Sequence, residues 1–223
     1  MRSRSRILLA VTTAVVLAFA LAVVLDRPAT RSPLGAATTD TGTGTGTSVA
    51  ENARSSAGFD GALLPGAVTA HPFTLTDQRG RRVSLGRYRG QVRILTFLSS
   101  ACRPTCPLIA QQIRGALDEL GRPVPTLIVS ADPAADTPAA VRRFLGEASL
   151  TGRVEYLTGT RAQLQPIWRA YNVFPAQLGD ANSPHPASVL LIDRAGQERD
   201  LFQVEQLTPE ALAHDVRKLE GGA

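Results

Sequence analysis

Lysine, methionine, cysteine and aromatic residues are scarce in this sequence. The basic residues are almost all arginine, with Lys218 as an exception, and no basic run is interleaved with aromatic residues. The net charge is +5, but Arg2, Arg4 and Arg6 supply three of these charges before any domain begins. The basic composition therefore gives no support to nucleic-acid binding. The hydrophobic fraction of 43% and the charged fraction of 19% exclude a disordered or collagen-like chain.

The longest apolar run, Ile7–Leu25, contains no charged residue and follows the arginine-rich start. As a helix it would be about 28 Å long, close to the roughly 30 Å hydrocarbon core of a bilayer. Arginines before the run indicate a cytoplasmic N-terminus and an exported domain. We predict that residues 1–26 form a single-pass anchor. No amphipathic transit segment is present, which favours a bacterial plasma membrane over an organelle.

A cleaved signal peptide is the alternative interpretation of this segment, because Ala20-Leu21-Ala22 resembles a small-residue cleavage site. No cysteine comes directly after the run, which excludes a lipid anchor at that point. Both interpretations place the remaining chain on the extracytoplasmic side. Residues 27–65 include the stretch TTDTGTGTGTS, whose alternating Thr and Gly bury too little apolar surface to fold. We predict a flexible linker over 27–65 and a folded domain over 66–223.

Strands and helices alternate in the predicted domain. Phe73–Thr76 and Arg82–Leu85, joined by a turn, predict a β-hairpin, and Val92–Phe97 predicts a strand that leads into the cysteines. Further strands are predicted at Thr126–Ser130, Val154–Tyr156, Ser188–Ile192 and Leu201–Val204, and helices at Pro107–Leu120, from Thr137, at Arg161–Tyr171 and from Thr208. This order predicts an α/β three-layer sandwich of the thioredoxin-like class, with an N-terminal β-hairpin.

Cys102 and Cys106 are the only cysteines, and three interpretations of the pair stay open. A structural disulfide suits an oxidising compartment, but closing so short a loop contributes only about 2 kcal/mol. A redox dithiol would benefit from a helix N-terminus, although redox pairs of the thioredoxin type are spaced Cys-x-x-Cys. A soft metal ion such as Cu(I) would bind two thiolates and needs a third ligand. If the pair occupied one helical turn, both sulfurs would share a face.

Of the three histidines, His185 is the candidate third ligand. It precedes the strand Ser188–Ile192, and in a thioredoxin-like fold the loop entering this strand passes next to the cysteine pair. We expect His71 to be an ordinary surface residue and His214, beside Asp215 in the last helix, to be solvated or packed.

Three segments together resemble the Sco/SenC family of copper-delivery proteins. The first is the strand and loop from Phe97 to Pro107, with its Cys-x-x-x-Cys-Pro motif. The second is Ser130–Pro138, similar to the family's Ser-x-Asp-Pro-x-x-Asp-Thr-Pro segment, and the third is His185 eight residues before Asp193. The chain departs from the family at Arg103, where proline is usual. It departs again at His185, which lies between two prolines rather than after aspartate.

The resemblance implies that Cys102, Cys106 and His185 bind a copper ion, Cu(I) or Cu(II), and that the protein is a metallochaperone. It implies delivery to the CuA centre of cytochrome c oxidase subunit II or to another copper acceptor, with a thiol reductant as a further partner. The single methionine excludes a Met-rich copper relay. Asp132 and Asp136 are interpreted as loop-turning and capping residues, with a supporting electrostatic role near the metal or acceptor docking as the alternative.

The main alternative function is an enzyme, a thiol–disulfide oxidoreductase that uses Cys102 and Cys106 alone to reduce cysteines of the oxidase subunit or of other exported proteins. A peroxiredoxin-like peroxidase is a weaker alternative. Its reactive cysteine normally follows the pattern Pro-x-x-x-Thr-x-x-Cys, whereas Leu95 and Ser99 occupy the corresponding positions here.

Overall fold

The computed structural model describes residues 58–175 and 187–222. The predicted anchor and most of the predicted linker lie outside the described residues. No helix within the described part of the chain is long and apolar enough to cross a membrane. The helices are α1 (Thr105–Leu120), α2 (Pro138–Glu147), α3 (Arg161–Ala170) and α4 (Pro209–Gly221). The strands are β1 (Ala62–Thr69), β2 (Thr74–Asp77), β3 (Arg82–Ser84), β4 (Arg93–Leu98), β5 (Thr126–Ser130), β6 (Glu155–Thr158), β7 (Ser188–Ile192) and β8 (Gln197–Gln203), with a short 3-10 helix at Leu85–Tyr88.

The strands form one mixed sheet in the order β1-β8-β7-β4-β5-β6-β2-β3. β4, β5 and β6 are parallel, whereas β7 runs antiparallel to β4 and β8 antiparallel to β7. The predicted hairpin is confirmed as β2 and β3. β1 was not predicted. It begins at Ala62, inside the segment predicted as linker, because it pairs with β8.

Hydrophobic residues cover both faces of the sheet. Ile94 and Leu98 of β4 belong to a cluster with residues of α1, α2 and α4, whereas Leu95 and Phe97 belong to a second cluster with α3 and the hairpin. Successive side chains of a strand point to opposite faces, so a strand between two apolar layers is apolar throughout. The predicted three-layer thioredoxin-like sandwich is therefore confirmed for the described residues.

Threonine residues cap three helices, and the starts of two of them, at Thr137 and Thr208, agree with the sequence prediction. Thr137 and Thr208 each accept a hydrogen bond from the backbone N–H three residues on, and a proline follows each threonine at the first helical position. Thr160 forms a reciprocal capping box with Gln163. α1 differs, since Pro104 occupies its N-cap position and no side chain caps it.

Gly115 marks a close approach between α1 and the start of α4. A methyl carbon added there would lie 2.7 and 2.9 Å from two side-chain carbons of Pro209. We expect Gly115→Ala to lower the free energy of unfolding by about 1–3 kcal/mol, because one helix must move away from the other. Gly146→Ala in α2 is the matched control: no atom lies within 4 Å of its added carbon, and alanine favours the helix. Urea unfolding of both variants tests the contact, and equal stabilisation by both would refute it.

Candidate metal centre

Cys102 and Cys106 lie where β4 leads into α1. Cys102 is partly exposed in the loop, and Cys106 is fully buried in the first turn of the helix. Their sulfurs are joined as a disulfide with an S–S distance of 2.13 Å and a Cα–Cα distance of 5.6 Å. The helix begins at Thr105, two residues before the predicted start, and Cys102 precedes it. The two cysteines therefore do not share one helical turn, and the loop before α1 brings the sulfurs together.

The N-terminus of α1 provides a favourable environment for a thiolate. The first turn has no acidic residue and no side-chain cap, so its N–H groups and the positive end of the helix dipole are not neutralised from within the helix. A helix N-terminus stabilises an adjacent thiolate, the form of cysteine that binds metal and attacks disulfides. The missing cap thus leaves the helix N-terminus available to the reduced cysteines.

Arg103 stabilises the loop between the cysteines through hydrogen bonds and an ion pair. Its Nη1 donates hydrogen bonds to the carbonyl oxygens of Ser100 (3.2 Å) and Cys102 (2.9 Å), and its Nη2 lies 3.5 Å from Glu147 of α2. The Arg103–Pro104 peptide bond is cis. Arg103 is where the chain departs from the Sco/SenC pattern, and its guanidinium connects two carbonyl oxygens of the loop with Glu147 of α2.

Asp136 holds the same loop in place through a hydrogen bond to its backbone. It is 5% exposed, and its Oδ1 accepts a hydrogen bond from the Ser100 backbone N–H at 2.7 Å. Its Oδ2 accepts from the Ser130 hydroxyl at 2.6 Å and from the Tyr156 hydroxyl at 2.8 Å. Burial and the Asp136 carboxylate raise the pKa of Tyr156 well above its ordinary value, so the phenol remains a donor. One carboxylate thus joins the cysteine loop to β5 and β6.

The two aspartates therefore have different roles. Asp132 accepts hydrogen bonds from the N–H groups of Ala134 and Ala135, which confirms its predicted loop-turning role. The predicted capping role is wrong for Asp136, because Thr137 caps α2. Asp136 instead accepts a hydrogen bond from Ser100, close to Cys102, which agrees with the alternative of a supporting role beside the cysteine site. Ser130 and Tyr156 were not predicted to take part. The Ser130–Pro138 motif offered the only sequence signal for Ser130, and Tyr156 had none.

His185 lies outside the described residues, as do Pro184 and Pro186. Ala187, the first described residue after His185, is buried in the same hydrophobic cluster as Cys106. The carbonyl oxygen of Ser188, the first residue of β7, accepts a hydrogen bond from the Thr96 hydroxyl near the end of β4. β7 therefore starts at the end of β4 that leads to the cysteines. His71, as predicted, is exposed.

The sheet order, the helices on both faces and the cysteine pair at the start of α1 define a member of the thioredoxin-like class. A sequence model described as SCO1/SenC matches residues 62–220, and the chain belongs to this family.

Three relatives illustrate the match. The protein SCO2 homolog of Bos taurus mitochondria is 29% identical over 69% of this chain, which spans 62% of that relative's length. The structure of copper-bound ScoI from Bradyrhizobium japonicum is 29% identical, with a TM-score of 0.53 over 69% of this chain and 99% of that one. BsSco, a member of the Sco family of cytochrome c oxidase assembly proteins in which a disulfide switch was identified, shares the fold at 22% identity. Its TM-score is 0.59 over 71% of this chain and 97% of that one.

Proposed function

We propose that this protein is an extracytoplasmic copper metallochaperone that delivers copper to the CuA centre of cytochrome c oxidase subunit II. The observation that carries the proposal is the disulfide between Cys102 and Cys106 beside an uncapped helix N-terminus, which shows that the two sulfurs can meet at one site. Membership of the SCO1/SenC family and the copper held by the ScoI relative support the choice of metal. An N-terminal anchor in the plasma membrane would hold the domain beside a membrane-bound oxidase.

Copper is the cargo in this proposal, and the disulfide determines when it can bind. A thiol reductant transfers two electrons and two protons to the disulfide and is itself oxidised, which leaves Cys102 and Cys106 as thiols. Loss of their protons then gives two thiolates, which prefer soft Cu(I). His185 would complete a three-ligand site. A three-coordinate ion leaves a position free, so an acceptor thiolate can attack before the donor ligands depart.

Several features support His185 as the third ligand. It lies two residues before Ala187, which shares a hydrophobic cluster with Cys106. The strand that follows it begins beside the end of β4 from which the cysteine loop emerges. A neutral imidazole with two thiolates is a donor set suited to copper.

We expect the reduced full-length chain, purified in detergent, to bind one Cu(I) per chain in anaerobic titrations against a competing chelator. Cys102→Ala and His185→Ala should each weaken binding by at least about tenfold, because each removes one of three ligands. His71→Ala is the matched control, since His71 is exposed and its side chain has no predicted role. Full copper affinity in His185→Ala would remove His185 from the site, and absence of tight binding in the folded wild type would refute the copper function.

Thiol–disulfide exchange is the second candidate function, and the disulfide between a partly exposed and a buried cysteine favours it. His185→Ala discriminates between the two functions. Exchange with a small dithiol requires only the cysteines, so this variant should retain its exchange rate while losing copper. If the wild type and His185→Ala both exchange disulfides rapidly and neither binds copper, the protein is an oxidoreductase.

A further inference from the structure

Exposed arginines gather at the end of the sheet that lies opposite the cysteines. β4, β5 and β6 run parallel, and the cysteine loop follows the carboxyl end of β4. β2 runs antiparallel to β6, so the turn after Asp77 lies at the amino ends of the three strands. The turn after β7 lies there too, because Ile192 pairs with Arg93 at the start of β4. Residues of both turns therefore share the end of the domain that faces away from the cysteines.

Four exposed arginines at this end form a surface that we call the arginine pole: Arg79, Arg82, Arg89 and Arg194. Arg79 lies in the turn between β2 and β3, and Arg82 is the first residue of β3. Arg79 also approaches the turn before β6, since a carbon added to Gly152 would lie 3.8 Å from its Nη2. The segments that carry Arg89 and Arg194 are in contact, because the Gly90 N–H donates a hydrogen bond to the Arg194 carbonyl oxygen at 3.0 Å.

The arginine pole differs from its surroundings because its charges are not neutralised. Three neighbouring arginines form ion pairs: Arg81 with Asp77, Arg122 with Glu220 and Arg153 with Asp118. Among the described residues, no carboxylate lies within ion-pair distance of any arginine of the pole. The sequence shows the same imbalance, since no acidic residue occurs between Asp77 and Asp118. The pole therefore presents positive charge to whatever lies next to it.

The distribution of these arginines suits a surface of many phosphates better than one small anion. A guanidinium group binds phosphate through paired N–H donors and keeps its charge at every physiological pH. The four side chains do not share a cavity: Arg79 lines a groove of about 260 Å³, and the other three lie outside it. A free phosphate ion would therefore contact only part of the pole. A layer of phospholipid headgroups can contact all four arginines together.

A bilayer is also within reach of the domain, and this step rests on the N-terminal anchor proposed above. Residues 27–61 separate the predicted anchor from the start of β1. A flexible chain of this length has an average end-to-end distance of about 30–35 Å. Such a tether keeps the domain at a high local concentration beside the headgroups. A weak attraction for the membrane surface is therefore enough to hold the domain in one orientation.

We propose that the arginine pole docks on the anionic phospholipid headgroups of the membrane to which the chain is anchored. Each arginine close to an anionic surface strengthens the docking about fivefold. β4 connects the two ends of the domain and, at six residues, is about 20 Å long. Docking through the pole would thus hold Cys102 and Cys106 on the side that faces away from the bilayer, where a partner protein can reach them.

The test uses the full-length chain in lipid nanodiscs with Cys102 and Cys106 kept as the disulfide, so that an introduced cysteine is the only free thiol. Thr151→Cys carries a fluorescent donor in the turn before β6, and Ala139→Cys carries it in the first turn of α2, near the cysteine end. Both positions are exposed. In nanodiscs that contain phosphatidylglycerol, energy transfer to acceptor-labelled headgroups should be greater from position 151. Most of this difference should be lost in phosphatidylcholine alone, and also when added salt screens the charges.

A triple variant tests the arginines themselves: Arg79→Gln, Arg82→Gln and Arg89→Gln together. The ratio of docked to undocked chains should fall about fivefold for each arginine removed.

The matched control removes three exposed arginines that lie on α2 and α3 and form no ion pair with a described residue: Arg142→Gln, Arg161→Gln and Arg169→Gln together. This variant should dock like the wild type. Equal losses in the two triple variants, or transfer that does not depend on phosphatidylglycerol, would overturn the proposal. Displacement by inorganic phosphate at constant ionic strength would also overturn it and would assign the pole to a small anion.

The same samples separate this proposal from the proposed function. Retention of the chain on nanodiscs at high salt tests the anchor, whereas energy transfer at low salt tests the arginine pole. Because the cysteines are oxidised throughout, the result is independent of the copper titration.

Discussion

Asp136→Ala is expected to lower the free energy of unfolding by about 3–5 kcal/mol. The carboxylate is nearly fully buried and accepts hydrogen bonds from Ser100 N–H and from the Ser130 and Tyr156 hydroxyls. Its removal leaves the Ser100 and Ser130 donors buried without an acceptor, whereas Tyr156 keeps a 3.2 Å bond to the Leu98 carbonyl oxygen. Each unpaired buried donor costs about 1–3 kcal/mol, and the cavity adds to the loss. Urea unfolding of the disulfide form measures the effect.

Asp132→Ala is the matched control, because this neighbouring aspartate is exposed and accepts only from the N–H groups of Ala134 and Ala135. Water can replace those bonds, so the loss should stay below about 1 kcal/mol. The Asp136 variant should also bind copper more weakly when reduced, since Ser100 is two residues from Cys102. Equal losses in the two variants would show that the Asp136 bonds do not stabilise the cysteine loop.

Asp200→Asn is expected to make the protein more stable at pH 8 and to change little at pH 5. Burial and the neighbouring Asp215 carboxylate raise the pKa of Asp200 from its ordinary value of 3.8 to about 8. The folded state therefore holds a proton that the unfolded chain releases. The stability contributed by protonated Asp200 is fully present below about pH 4 and is lost as the pH rises towards 8. Asparagine keeps the shape and the donor to Asp215 at every pH.

The difference in unfolding free energy between Asp200→Asn and the wild type isolates this group. It should grow by about 2–4 kcal/mol between pH 5 and pH 8, measured with a chelator present so that no metal contributes. Asp132→Asn, which removes an exposed carboxylate, is the control for general charge effects. A difference that stays constant with pH would mean that Asp200 titrates alike in the folded and unfolded states.

The position of the cysteine pair in the fold could be predicted from the sequence, whereas the contacts that support its loop could not. Cys102 and Cys106 follow a β-branched strand and precede an amphipathic helix, so the order of the elements placed them correctly. The contacts of Arg103 with Glu147 and of Asp136 with Ser100 join residues 44 and 36 positions apart, as their numbering shows. No local pattern encodes such contacts, because they depend on how α2 and β5 pack beside the loop.

The amino-acid sequence determined the strands and helices that carry their own signal. The apolar strands β4, β5 and β7 and the threonine–proline starts of α2 and α4 are specified by adjacent residues, through side-chain alternation and local hydrogen bonds. The tertiary structure alone decided the remainder. β1 is a strand because β8 lies beside it, and Asp60, His214 and Asp215 meet because α4 packs against the entry to β1. Pairing and burial join residues from distant parts of the chain, and only the folded arrangement brings those residues within bonding distance.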